Sequence, residues 1–146
     1  MKAKLINQTG EKRWALIFDK GDEIVETLTA FAKEQKLDAS HFTGIGAFDH
    51  VTLGYFDRAR KDYEHIPIEE QVEVLSLIGD IAVNEKSEPV IHMHAVLGKR
   101  DGTAHGGHVL KAKVWPTIEL IVSESPEHLR RKFDPETHLP LIDLSA

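Results

Sequence analysis

Val90-Ile91-His92-Met93-His94-Ala95-Val96-Leu97-Gly98 is followed by Lys99-Arg100-Asp101-Gly102 and then by His108-Val109-Leu110-Lys111-Ala112-Lys113-Val114. Two β-rich runs flank a polar stretch that ends in Asp-Gly, which is the signal of a β-hairpin. Alternate residues of a strand share a face, so His92 and His94 point the same way. A turn centred on Asp101 places position 94 opposite 108 and position 97 opposite 105. Directly opposed residues of an antiparallel pair project to one face. His92, His94 and His108 then form a three-point cluster. His105 falls on the other face, unless Gly106-Gly107 bulges and shifts the parity by one.

The rest of the chain extends this sheet. Residues 71–83 (QVEVLSLIGDIAV) are β-rich, with Gly79-Asp80 as a bend or bulge. Residues 117–122 (TIELIV), 13–18 (RWALIF) and 50–56 (HVTLGYF) read as further strands. A short segment, 41–48, contains Gly44-Ile45-Gly46-Ala47, where glycine marks tight packing. Residues 58–64 are polar and read as a turn. Asp19-Lys20-Gly21 breaks the first strand. Asp22 then reads as a helix N-cap, and Ile24, Val25, Leu28, Phe31 and Ala32 recur at helical spacing. That predicts an amphipathic helix over residues 23–35, packed on the sheet. Ser125-Pro126-Glu127 reads as the start of a short C-terminal helix, stopped by Asp134-Pro135. The predicted fold class is α+β. It has an antiparallel β-sheet with the N-terminal helix packed on it and a short C-terminal helix, in one domain spanning residues 1–146.

Composition narrows the function. The chain has 146 residues, 18 Lys plus Arg against 24 Asp plus Glu, a formal net charge of -6, nine His and no Cys. Without Cys there are no disulfides, thiolate zinc sites, iron–sulfur clusters or cysteine nucleophiles. Any metal site must use His, Asp or Glu. No apolar run reaches the roughly 18–20 residues of a membrane span. Residues 1–14 lack the apolar stretch of a secretory signal, so the expected location is cytoplasmic. Binding to nucleic acid rests largely on neutralising phosphates, and the acidic balance argues against it.

Three neutral imidazoles suit Zn²⁺ with a fourth position left to water or substrate, the pattern of catalytic zinc. Nickel, copper and ferrous iron also accept three His. The alternative is a half-exposed strand whose histidines face solvent. Glu119 is a carboxylate within an apolar strand. It reads either as a fourth ligand, supporting partner or general base, or as an outward-facing strand residue. Glu73 reads as outward-facing. His41, His50, His65, His128 and His138 have no defensible spacing relation and read as surface residues. Arg130-Arg131-Lys132 reads as a solvated face at a helix C-terminus. There is no P-loop, dinucleotide fingerprint or G-x-S-x-G elbow.

Taken in order, these residues resemble the PPC domain, named for plants and prokaryotes conserved. The resemblance runs over roughly residues 13–144. It rests on Thr43-Gly44-Ile45-Gly46-Ala47, Glu73-Val74-Leu75-Ser76-Leu77-Ile78-Gly79, His92-Met93-His94-Ala95 and Asp101-Gly102, then on Gly106-Gly107-His108, Thr117-Ile118-Glu119 and the tail Asp134-Pro135-Glu136-Thr137-His138-Leu139-Pro140-Leu141. The resemblance implies an antiparallel α+β fold assembled as a homotrimer. It also implies a DNA-binding label, with His92, His94 and His108 as metal ligands. Plant members carry an AT-hook core, Arg-Gly-Arg-Pro, which is absent here. Their Gly-Arg-Phe-Glu-Ile-Leu partner stretch is replaced by Glu70-Gln71-Val72-Glu73-Val74-Leu75. The fold is also similar to that of acetolactate decarboxylase, a three-histidine zinc enzyme. Three readings follow: a homotrimeric metal-binding module labelled DNA-binding, a small zinc enzyme acting on a small carbonyl or carboxylate compound, and a structural metal that pins the hairpin.

Overall fold

In the computed structural model, residues 1–7 and 10–145 are described. The elements are β1 (Lys2–Asn7), β2 (Lys12–Phe18), α1 (Ile24–Gln35), β3 (Ala39–Asp57), β4 (Asp62–Ile68), β5 (Val72–Val83), β6 (Pro89–Gly98), β7 (Ala104–Glu124), β8 (Arg130–Phe133) and β9 (Pro140–Asp143). The class is mostly β with one helix among the described residues.

The two long strands organise the sheet. β3 pairs with β5 along its first half and with β4 along its second, and it pairs with β7 throughout. β7 pairs with β2 at its C-terminal end and with β6 at its N-terminal end. Because β5 also pairs with β6, strands β3, β5, β6 and β7 close a circuit of pairings. Phe42, Phe48, Leu77, Ile81, Met93, Leu97, Val109 and Val114 fill its interior and are buried. Each such side chain contributes roughly 1.5–3 kcal/mol of burial free energy. The helix turns Ile24, Leu28, Phe31 and Ala32 into the same core, and Phe31 meets Trp14 of β2 edge-on, with ring centroids 6.0 Å apart.

β3 reads as two pieces in the sequence because Gly44 and Gly46 interrupt the apolar alternation. The structure carries one strand through them. At Gly46, φ is +148° and an added Cβ would lie 2.3 Å from the Thr117 carbonyl oxygen and 2.8 Å from Ile118 Cα. Only glycine allows β7 to pass this close. The register shifts here, Gly46 facing Ile118 and Phe48 facing Val114. β7 therefore sets three residues, Trp115-Pro116-Thr117, against the single Ala47 of β3, and Pro116 among them has no N–H for the ladder.

Four expectations change. First, the helix N-cap is Glu23, not Asp22. The Glu23 carboxylate accepts from Glu26 N at 2.8 Å and also from Ala112 N of β7 at 3.0 Å. Asp22 instead accepts from Asp19 N at 2.9 Å. Second, the polar segment before residue 65 turns into β4, an exposed edge strand whose pattern the alternation rule cannot see.

Third, no C-terminal helix forms among the described residues. Ser125 does accept from Glu127 N at 3.2 Å, as a cap would. Leu129 then donates to Asp38 O at 3.1 Å and accepts from Val83 N at 3.0 Å, which holds the chain extended. Arg131 is buried while its neighbours Arg130 and Lys132 are exposed. β8 and β9 pair antiparallel. Fourth, the sheet is mixed rather than purely antiparallel, because Val83 of β5 pairs parallel with Arg130 of β8.

Candidate metal centre

The hairpin register is the expected one. His94 faces His108 and Leu97 faces His105, with no shift through Gly106 and Gly107. His92 and His94 project from β6, His108 from β7, and each offers a ring nitrogen within 4.8 Å of the others. His92 Nε2 and His94 Nε2 are 3.2 Å apart. Two nitrogens held about 2.0–2.1 Å from one tetrahedral zinc stand about 3.3 Å apart. The His108 ring is stacked between two partners, His92 at 5.3 Å and Tyr63 of β4 at 4.7 Å. His108 Nδ1 is buried and lacks a hydrogen-bond partner. Such a group costs about 1–3 kcal/mol, a cost that a shared cation would remove.

The electrostatics suit a cation as well. Burial, then the neighbouring His92 and His94, pushes His108 down to about 4. Burial, then His92, also lowers His94. Both rings are therefore neutral near pH 7, the form that binds metal. His108 has a lowered folded-state pKa, so its contribution to stability is intact above about 6.5 and is lost as pH falls toward about 4. The ring is only half-buried, so screening reduces the effect to on the order of 1 kcal/mol. Urea midpoints of metal-free protein should fall over this window, and His108→Asn should flatten the fall.

Behind the histidines stands Asp80. Its Oδ2 is 3.5 Å from His92 Nδ1, and its Oδ1 accepts from the Arg131 guanidinium. Burial pushes the Asp80 carboxyl up, but the His92 hydrogen bond and the Arg131 charge outweigh it and hold it below the usual range. Sequence reasoning took Asp80 for a bend and Arg131 for solvated surface; Arg131 is 7% exposed. A signal for Asp80 did exist. A β5–β6 turn centred on Lys86 places position 80 opposite 92, as observed. No comparable signal exists for Arg131 or Tyr63, which arrive from separate strands.

Glu119 is exposed on β7, opposite Ile45 of β3 and Ile17 of β2, and is not among the converging ligand groups. It lines a shallow depression with Ile17, Ile45, Leu75, Ile78 and Ile121. His105 is exposed outside the cluster. His50 pairs with Asp49 at 3.0 Å and His128 with Asp38 at 2.6 Å. No helix among the described residues is long and apolar enough to cross a membrane.

This geometry can be set beside known proteins. No curated protein matches the sequence. A Bacteroides thetaiotaomicron structure named a "putative dna binding protein" is 27% identical over 99% of both chains, with TM-score 0.87. A Pyrococcus horikoshii plant- and prokaryote-conserved protein is 26% identical over 97% of this chain and 94% of its own, with TM-score 0.84. A metal-containing protein of Archaeoglobus fulgidus is 35% identical over 97% of this chain and 99% of its own, with TM-score 0.83. At the level of fold alone, a Staphylococcus aureus protein similar to alpha-acetolactate decarboxylase aligns with TM-score 0.57 at 12% identity, over 84% of this chain and 53% of its own. The sequence matches the Plants and Prokaryotes Conserved domain over residues 6–126, and the chain belongs to that family.

Proposed function

We propose that this chain is a homotrimeric metal-binding module that holds zinc through His92, His94 and His108 and leaves a fourth position to water or a small ligand. The separation of His92 Nε2 and His94 Nε2, 3.2 Å, carries the reading. It matches the edge of a zinc tetrahedron. The orphaned Nδ1 of His108 and the Asp80 carboxylate behind His92 support it. The metal-containing relative is consistent with it. Elemental analysis of purified protein should give one zinc per chain. His94→Ala should weaken zinc binding at least a hundredfold, read by competition with a chromophoric chelator. Protein without stoichiometric metal, or a His94→Ala variant that binds as wild type does, overturns the reading.

The trimer rests on the outer sheet face. Ile17, Ile45, Leu75, Ile78 and Ile121 surround one depression and are between 39% and 58% exposed. Clustered apolar residues of this kind mark an interaction surface. Ile78 sits directly opposite His94, so the metal centre adjoins the proposed seam. Direct DNA binding is not part of the proposal. Each chain carries -6, three carry -18 (3 × -6), and that charge repels phosphate.

A second reading, a small zinc enzyme acting on a carbonyl or carboxylate compound, is favoured by one observation. His94 is exposed, so the ligand side of the cluster faces solvent. Bound zinc would polarise a carbonyl or acidify a water. Glu119, a carboxylate on the same outer face, is the group proposed to move the proton.

A further inference from the structure

We infer that Asp80 is the positioning residue of the metal centre and that, through Arg131, it couples metal binding to docking of the C-terminal β8–β9 hairpin. The inference rests on the metal-binding reading above. His92 has two ring nitrogens with different neighbours. Nε2 faces His94 at 3.2 Å, and Nδ1 faces Asp80 Oδ2 at 3.5 Å. A proton kept on Nδ1 and directed at a carboxylate leaves the Nε2 lone pair free for a cation. Asp80 therefore selects both the tautomer and the ring orientation that a ligand needs.

Asp80 is itself held from two sides. On its own strand, Gly79 lies against the Phe42 ring and the His92 carbonyl, where an added Cβ would be 2.4 and 2.3 Å away. That contact fixes the backbone beside the carboxylate. From the other side, Arg131 of β8 donates one guanidinium nitrogen to Asp80 Oδ1 and another to the Pro140 carbonyl of β9, at 2.9 Å. One buried guanidinium thus ties the metal centre to both strands of the hairpin.

Among the described residues the hairpin has few other ties to the sheet. Its remaining backbone ties to the sheet run through Leu129, Asp38 and Val83. Much of its own apolar surface faces outward, with Phe133 55% and Leu141 44% exposed. An element so weakly buried opens at low free-energy cost. Anything that fixes His92 fixes Asp80 and so stabilises the docked guanidinium. By reciprocity, a docked hairpin raises metal affinity by the same factor.

Chelator competition and amide hydrogen exchange on the full chain test the coupling. Asp80→Ala should lower zinc affinity about 10–100-fold with one zinc still bound. Asp80→Asn, which keeps an acceptor, should lose less. Removing Asp80 strands a buried guanidinium, so Asp80→Ala/Arg131→Met, which deletes both charges, guards against misfolding; it should show the same affinity loss. Zinc should slow exchange of the β8 and β9 amides in wild type and not in the double variant. Wild-type zinc affinity in both Ala variants, or hairpin exchange that ignores zinc in wild type, overturns the inference and leaves the metal centre intact. A wild-type chain that binds no zinc overturns both.

Discussion

Gly46→Ala is expected to destabilise the fold by about 3–4 kcal/mol, a large share of the roughly 5–15 kcal/mol that holds a domain together. Two costs coincide at this residue. Its φ of +148° is a conformation that side chains rarely adopt, and the new Cβ would lie 2.3 Å from a carbonyl oxygen of β7. That oxygen is backbone in the central pairing of the sheet, so it cannot swing aside. Gly102→Ala separates the two costs, because Gly102 has φ of +82° with open space around it. It should lose only about 1 kcal/mol, the conformational cost alone. Urea midpoints of the two variants make the comparison. Equal losses would mean that the β3–β7 approach is not what requires glycine.

If the proposed trimer forms through this face, Ile78→Asp should convert it to single chains and leave the folding of each chain almost unchanged. In the single chain Ile78 is 54% exposed, and exposed substitutions usually move stability by no more than about 0.5 kcal/mol. In a trimer sealed by this face, each copy would bury a second carboxylate beside Glu119 in one depression, adding like-charge repulsion to a desolvation cost of several kcal/mol. Light scattering should give three times 16.4 kDa for wild type and 16.4 kDa for the variant. Ile45→Asp, at a residue 58% exposed on the same face, should behave alike. A wild-type chain that runs as a monomer, or a variant that stays trimeric, removes this surface from the assembly.

The convergence of the three histidines was legible because one hairpin carries them. H-x-H fixed two side chains by strand parity, and the turn at Asp101 fixed the third by symmetry of register. Nothing beyond period two and the position of one turn was needed. The helix was legible for a similar reason, through Leu28 and Phe31 at their own spacing. Legibility failed where a side chain came from a distant strand. Arg131 sits among charged neighbours that suggest a solvated surface, and the distant ties of Leu129 and Arg130 to Asp38 and Val83 bring it beside Asp80. The C-terminal helix failed because a capping signal is local, whereas the hydrogen bonds from Leu129 to Asp38 and Val83 are not. β4 failed because an exposed edge strand has no buried face to impose alternation.

The position of β2 has a kinetic consequence. Phe18 pairs with Ile118, a separation of 100 residues (118 − 18), while the other edge of β2 pairs with the nearby β1. Closing a loop of that length must come before its pairing energy is recovered, and chains dominated by distant strand contacts fold in milliseconds to seconds. During synthesis, β2 and the apolar underside of the helix emerge well before the end of β7 exists. For that interval the edge of β2 that β7 will cover stays unpaired, and an open strand edge is prone to pair elsewhere until β7 is complete.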